Sequence, residues 1–219
     1  MQAEKNRYQL SDGLIRQNIV LMSGTAIGPV AVCATNYQNA LALSVGFTMI
    51  AFMSIILCRF IPKKIVYTIR VVIYALIAGL VFIPAYFALN YLYGEEIVRG
   101  LGVYLPVLAV NPLILTKTET RFSLRPLHLM TLELAGYITG FNIVCLTVGI
   151  LRDILINGKI GSLDLDLGFD IPALSTAFGG LITVGVAAGL FRYLYNQSKE
   201  RQAKQIQKEL EFQKLLEEL

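Results

Sequence analysis

Long uncharged apolar runs alternate with short polar segments along the chain. Six such runs cover residues 17–38, 40–58, 71–94, 100–116, 134–151 and 171–191. Each is close to the roughly 20 residues that a helix rising ~1.5 Å per residue needs to cross ~30 Å of hydrocarbon. Continuous apolarity favours helices over a transmembrane barrel, whose strands alternate polar and apolar residues. The pattern predicts an all-α integral membrane protein in which residues 1–195 form one domain of six transmembrane helices.

Composition and charge placement agree with a membrane protein and set its predicted orientation. Of the 219 residues, 55% are hydrophobic and 16% are charged, whereas soluble domains carry about 25% charged residues. If the chain starts in the cytoplasm and crosses six times, all but three of its 19 basic residues fall in cytoplasmic segments; the three are Arg99, Arg152 and Lys159. Cytoplasmic loops are enriched in lysine and arginine. Both termini are therefore predicted to be cytoplasmic, and the net charge of +4 does not indicate nucleic-acid binding.

Two proline-containing sites occur at matching places in the chain. Gly28-Pro29 in the first apolar run and Asn111-Pro112 in the fourth lie 83 residues apart. Each lies in the first helix of a group of three, and because three is an odd number the second half would be inserted upside down relative to the first. The spacing predicts an inverted repeat of halves 14–94 and 97–195, with broken helices 1 and 4. Their interruptions would face the protein interior close to each other, so that Gly28, Pro29, Asn111 and Pro112 form a candidate functional centre near the midplane. The alternative is a pair of ordinary proline kinks.

The last segment, residues 196–219, is charged and lacks glycine and proline. Its Lys, Gln, Glu and Leu residues are strong helix formers, so a cytoplasmic helical tail that continues helix 6 is predicted. A partial apolar stripe leaves three interpretations open: a docking helix, a self-associating coil or a solvated extension.

Three local motifs resemble one known family. They are residues 26–29, where the family has Gly-Leu-Cys-Pro; residues 110–119, where it has Asn-Cys followed by an Arg-Ala-Glu type of stretch; and residues 149–153 with Asn157-Gly158, similar to Gly-Ser-Leu-Arg-Glu and Asn-Gly. From about residue 14 to 195, the chain resembles the small membrane subunits of the Rnf complex and of the Na⁺-translocating NADH:quinone oxidoreductase (Nqr). The resemblance implies a bacterial-type cytoplasmic (inner) membrane.

This resemblance also implies a cofactor that the sequence does not support. In the family, two paralogous subunits pair and each supplies two thiolates to one [2Fe–2S] cluster. Here Gly28 and Pro112 stand at the two cysteine positions, and neither can ligate iron. Cys33 and Cys145 are conceivable substitute ligands, but free cysteines are commonly buried as small hydrophobic residues, and that interpretation is preferred. We therefore predict no metal or cofactor site whose ligands come from this chain.

Four charged residues near the ends of the runs are candidates for an ion path: Glu119, Glu133, Arg152 and Asp153. Acidic groups near membrane depth are default hypotheses for cation sites. The competing interpretation is structural. Glu119 and Glu133 would form solvated ion pairs with nearby basic residues, and Arg152 and Asp153 would end helix 5 at the outer interface, with Asp153 pairing to Lys159 or Arg99.

Two functions follow from these patterns. The first is an integral membrane subunit of an ion-translocating electron transport complex of the Rnf/Nqr type, in a divergent form without its own iron–sulfur ligands. It would be at most a non-catalytic or electron-relay subunit of an oxidoreductase complex. Its expected partners are the lipid bilayer, a paralogous six-helix subunit or a second copy of itself, and other redox subunits. The alternative is a small transporter or channel that uses the same inverted-repeat fold without redox chemistry.

Overall fold

The structure is a computed structural model, and it describes residues 12–122, 126–160, 163–164 and 171–217. In these ranges eight α-helices follow one another: α1 Ile27–Cys33, α2 Tyr37–Cys58, α3 Tyr67–Tyr93, α4 Glu95–Leu101, α5 Tyr104–Val107, α6 Thr118–Thr120, α7 Leu127–Asn157 and α8 Ala177–Glu217. Short π-helical turns cover Asp12–Arg16 and Leu113–Lys117, and 3-10 turns cover Leu108–Val110 and Pro172–Ser175. Two strands, β1 Lys159–Ile160 and β2 Leu163–Asp164, form a short antiparallel ladder after α7.

Four of these described helices, α2, α3, α7 and α8, are long and apolar enough to cross a membrane. A fifth crossing is possible by length where α4 meets the stretch Tyr104–Thr120, because the two are bent by 63° at a short break. The prediction of an all-α membrane protein is confirmed at this level. The number six and the inverted repeat stay predictions.

The first and fourth apolar runs do not form continuous helices. Within residues 17–38, only α1 and the start of α2 are helical, and residues 17–26 follow a series of turns. Within residues 100–116, Gly102 adopts a positive φ of 52° and the chain passes through α5, a 3-10 turn and a π-helical turn. At both predicted interruptions, the loss of helical structure is therefore more extensive than a proline kink alone would cause.

The helices divide into a buried pair and a peripheral pair. In the apolar windows of α2 and α7, 56% of the residues are buried, against 17% in α3 and 22% in α8. The two buried helices pack against each other, and α3 packs on the other side of α2. A Cβ on Gly149 would overlap Ala40, so the α2–α7 approach depends on a small residue, as is common between membrane helices.

A second close approach joins the two ends of the chain. α1 packs against α8, and a Cβ built on Gly180 would overlap the carbonyl group of Ala31. Because the obstructing atoms belong to the backbone, a larger residue at position 180 cannot be accommodated by a rotamer change. This contact fixes the short helix after the first interruption against the last long helix.

Helix ends extend beyond the apolar runs that predicted them. α7 begins seven residues before the run 134–151 and ends six residues after it, and α8 continues to Glu217. Buried charged residues account for part of this difference, since Glu133 and Arg152 lie inside α7 rather than in its flanking loops.

Candidate functional site at the two chain interruptions

Asn18 organises the first interruption. Its side chain is buried, and its Oδ1 accepts hydrogen bonds from the backbone N–H groups of Val20 (2.9 Å) and Leu21 (3.0 Å). Its Nδ2 donates to the carbonyls of Leu14 (3.2 Å) and Gly140 (3.0 Å). One amide thus satisfies four main-chain groups, which is what buried backbone requires. Asn18 was not among the predicted site residues, although an asparagine inside an apolar run was the available signal.

Arg192 of α8 holds the same interruption from the outside. Its guanidinium donates to the carbonyls of Leu21 and Met22, each at 3.0 Å. Gly24 then turns the chain with a φ of 71° before α1 begins. This role of Arg192 was not predicted either, because in the sequence the residue only marks a cytoplasmic segment.

Asn111 organises the second interruption in a more local way. Its backbone is extended (φ −66°, ψ 140°), and its Oδ1 accepts a hydrogen bond from the N–H of Leu113 at 2.9 Å. The Asn111 carbonyl also accepts from Ile114 (2.9 Å) and Leu115 (3.2 Å). These contacts start the π-helical turn that follows Pro112. The side chain and the proline together explain why the run 100–116 cannot remain one helix.

The expectation that both interruptions face the interior is only half right. Pro29 and Asn111 are buried, but Gly28 and Pro112 are exposed on the surface of the chain. A Cβ built on Gly28 meets no atom within 4 Å. The two positions that hold cysteines in the resembled family therefore lie on the outside of this chain.

The thiols that remain do not fit a [2Fe–2S] cluster. Cys33 and Cys145 are buried, and their Sγ atoms lie 3.5 Å from the carbonyl oxygens of Leu101 and Ala40, respectively. Both thiols thus contact main-chain acceptors inside the helix packing. Such clusters are held by thiolates, and neither Gly28 nor Pro112 carries a donor on its side chain. Within the described parts of the chain, no group of three or more His, Cys, Asp and Glu residues could hold a metal ion.

Arg152 lies against the end of α1, in the interior of the protein. The side chain is fully buried, and it donates to the carbonyls of Ala31 (2.7 Å), Ala34 (3.0 Å), Leu174 (3.0 and 2.6 Å) and Thr176 (3.2 Å). The last carbonyls of a helix lack intrahelical partners and favour a cation. Arg152 therefore joins the end of α1 to the segment that precedes α8. The expectation that Arg152 ends its helix was wrong, because α7 continues to Asn157.

Asp153 is the neighbouring half of the same arrangement. Its carboxylate accepts from the backbone N–H of Tyr37 at 3.2 Å, at the start of α2, and from Nδ2 of Asn157 at 2.9 Å. Arg152 and Asp153 thus bracket the chain between α1 and α2. Arg99, one of the partners expected for Asp153, pairs instead with Glu95 at 2.8 Å on the exposed surface.

Glu119 is held by α3. Arg70 forms a two-pronged ion pair with it, with Nε 3.1 Å from Oε2 and Nη2 in short contact with Oε1. The hydroxyl of Tyr74 donates to Oε2 at 2.8 Å. The side chains of Arg70 and Glu119 are about 90% buried, so they form an interior pair rather than the solvated pair that was expected.

Two further polar contacts lie near the start of α7. Glu133 is fully buried and pairs with Arg121. The Oε1 of Gln17 accepts from Nζ of Lys117 (2.7 Å) and from the hydroxyl of Tyr137 (2.6 Å). Through these two hydrogen bonds, Gln17 ties the first interruption to the fourth apolar run and to α7.

The four ion-path candidates do not form one site. Glu133 and Arg152 are 19 residues apart on α7, which is about 28 Å along the helix axis. Each of the four side chains is engaged by a partner, and three of them hold an end of an interrupted segment. Chemically, the arrangement immobilises two broken helices.

Comparison with known proteins gives a consistent family. A sequence model described as Rnf-Nqr subunit, membrane protein, matches residues 7–195. A protein of Yersinia pestis (strain Pestoides F), named as a subunit of an ion-translocating oxidoreductase complex, is 26% identical over 183 residues, covering 77% of this chain and 76% of its own length. A protein of the same name from Sodalis glossinidius is 26% identical over 151 residues, covering 69% of this chain and 65% of its own length.

Proposed function

Because the chain belongs to the Rnf-Nqr family of membrane subunits, we propose that it is an integral membrane subunit of an ion-translocating oxidoreductase complex. The match of the family over residues 7–195 is the observation that carries this proposal. The name of the Yersinia relative, which is similar over three quarters of both chains, supports it.

Within such a complex, the chain is a divergent subunit that supplies no iron ligands. Gly28 and Pro112 occupy the two positions at which the family has cysteines, and Cys33 and Cys145 are directed at main-chain carbonyls. Its role is to hold its interrupted helices in place and to complete the membrane-embedded assembly. Electron transfer through the complex then depends on other subunits.

The partner binds at the surface around the interruptions. Exposed apolar residues follow one another on the bent fourth run, with Val103, Val107 and Val110 exposed by 71%, 47% and 50%. α1, which carries exposed Gly28, packs directly against α5. We call Gly28, Val103, Val107, Val110 and Pro112 the break face. A paralogous six-helix subunit, or a second copy of this chain, covers it in the assembled complex.

The proposed topology has six crossings, with residues 1–195 as one membrane domain. In this proposal the turns and α1 of the first run make one crossing, and the bent pair of α4 and the stretch to Thr120 makes another; the length of that pair supports the second. The placement of basic residues supports cytoplasmic termini and a helical cytoplasmic tail in a bacterial inner membrane. Alkaline phosphatase fused after residue 217 should be inactive, whereas a fusion at the loop after Asn157 should be active; the opposite result contradicts this orientation.

Purification from native membranes through an affinity tag tests the function. We expect other redox subunits to co-purify in fixed stoichiometry and the complex to oxidise its electron donor. The iron content of the complex should stay the same when Cys33 and Cys145 are both replaced by serine.

If the chain purifies alone and mediates solute flux in liposomes, it is a transporter with this fold. If iron falls in the serine variant, the chain does supply ligands.

A further inference from the structure

A long apolar groove lies between α2 and α3. Its volume is about 990 Å³. Its lining is apolar except for Thr48. It comes from α2 and the turn just after it (Thr48, Met49, Phe52, Met53, Leu57 and Phe60) and from α3 (Ile77, Leu80, Val81, Pro84, Ala85 and Ala88). Several of these side chains are exposed, among them Met53 by 52% and Leu80 by 67%. The groove therefore opens to the membrane rather than to the protein core.

The length of the groove matches one leaflet of a bilayer. From Ile77 to Ala88 the lining extends about 16 Å along α3, and the hydrocarbon core is about 30 Å thick. A transmembrane helix of another subunit would need a surface along the whole thickness. A single acyl chain needs only this half, so the dimensions favour a lipid.

Two lysines lie just beyond one end of the groove. The lining ends at Phe60, and Lys63 and Lys64 follow in the loop that joins α2 to α3. Both lysines are exposed. The loop is held in place by Arg70, whose Nη1 donates to the carbonyls of Lys63 (2.6 Å) and Ile65 (2.7 Å). A pair of ammonium groups on a fixed loop at the membrane surface is complementary to a phosphate.

We propose that this groove binds an anionic phospholipid, with one acyl chain between α2 and α3 and its phosphate at Lys63 and Lys64. Acyl chains are as apolar in bulk lipid as in the groove, so the headgroup contact decides which lipid binds. Basic pockets at the ends of membrane helices select anionic headgroups in this way. Two lysines at such a surface give an about thirtyfold preference over a zwitterionic lipid.

Because the chain contains no tryptophan, the fluorescence of a single introduced tryptophan can be measured without background from others. A Phe52→Trp variant places a single tryptophan in the groove. We would reconstitute this protein in nanodiscs and measure quenching of its fluorescence by brominated phosphatidylglycerol and, separately, by brominated phosphatidylcholine. The expected result is an about thirtyfold stronger apparent binding of phosphatidylglycerol at this site. The preference should weaken as the salt concentration rises.

Two controls separate a built site from general attraction of anionic lipid. In the first control, Leu132→Trp, the tryptophan lies outside the groove, at a similar distance from the end of its helix and at a position that is 45% exposed. The two lipids should quench this tryptophan nearly equally. Replacing Lys63 and Lys64 by glutamine should remove the preference at the groove probe. Replacing the exposed tail residues Lys199 and Lys204 by glutamine changes the net charge equally and should leave the preference unchanged.

Three results would overturn the proposal. The first is equal quenching of the groove probe by both lipids. The second is a preference that survives the loss of Lys63 and Lys64. The third is a groove probe that neither lipid quenches, which would mean that a protein segment covers the groove.

Discussion

The two interruptions are held by different kinds of contact. At the first, charged side chains from distant helices donate to main-chain carbonyls: Arg192 to Leu21 and Met22, and Arg152 to the end of α1. At the second, Asn111 accepts a hydrogen bond from the nearby N–H of Leu113, and an ion pair between side chains, Arg70 with Glu119, holds the end of the run.

This difference determines how each interruption responds to substitution. Backbone carbonyls cannot be removed by mutation, so loss of an arginine at the first interruption leaves acceptors without donors and no second substitution repairs them. At the second interruption the acceptor is a carboxylate, and neutralising it removes the unpaired charge.

The largest effect is expected for Arg152→Met. It removes the donors of four main-chain carbonyls, and we expect a loss of about 5 kcal/mol or failure to fold. Arg152→Lys keeps the charge but not the planar fork, and should recover only part of the loss. The measurement is the midpoint of thermal unfolding in detergent. Rescue of Arg152→Met by Asp153→Asn would contradict the comparison, because it would mean that the arginine serves the carboxylate.

Arg70→Met should come second, with a loss of about 3–5 kcal/mol, since it leaves Glu119 buried and without its guanidinium partner. Adding Glu119→Gln should restore a large part of this stability. Arg99→Met removes the exposed pair with Glu95 and should change stability by less than about 1 kcal/mol. If the double variant unfolds at the same temperature as Arg70→Met alone, the second interruption does not depend on the ion pair.

Gly180→Ala should reduce stability by about 3 kcal/mol, because its Cβ would overlap the Ala31 backbone where α1 meets α8. Gly185→Ala lies five residues further along α8, where a Cβ meets nothing within 4 Å, and should have little effect. Monodispersity on size-exclusion chromatography after heating distinguishes them. Equal behaviour of the two variants would mean that α1 is not fixed against α8.

The smallest effect is expected for Arg192→Met, which removes two hydrogen bonds from a more exposed guanidinium. We expect a loss of about 1–2 kcal/mol. Lys199→Met on the same helix is the matched control and should lie within about 0.5 kcal/mol of the parent protein. If the unfolding midpoints of the two variants are indistinguishable, Arg192 does not stabilise the first interruption.

Much of the architecture follows from the pattern of apolar residues. The runs 40–58 and 71–94 predict α2 and α3 to within a few residues, because each is continuous and ends at polar residues. The ends of α7 were placed too far inward because the apolar pattern treats a charged residue as a boundary. Glu133 is tolerated inside the helix because Arg121 neutralises its charge. Arg152 is tolerated because main-chain carbonyls accept hydrogen bonds from its guanidinium.

That both runs are interrupted was predictable, but the contacts were not, and in the first run the turns cover residues 17–26, ahead of Gly28-Pro29 in the first turn of α1. A proline after glycine or asparagine marks a break wherever it occurs in an apolar run. The partners of Arg152 come from residues more than 100 positions earlier and about 20 later, and they are carbonyls, which every residue has. No pattern in side chains identifies them. The exposure of Gly28 and Pro112 likewise depends on how α1 and the bent run pack.

Labelling of a cysteine at position 28 tests the central claim, that the break face is covered by another subunit of the complex. In a background with Cys33, Cys58 and Cys145 replaced by serine, Gly28→Cys and the control Phe178→Cys, which is 72% exposed on α8, would be treated with N-ethylmaleimide. We expect the thiol at position 28 to react when the chain is alone in detergent and to be protected in the purified complex, while the control reacts in both. Equal labelling at position 28 in the two preparations would contradict the claim.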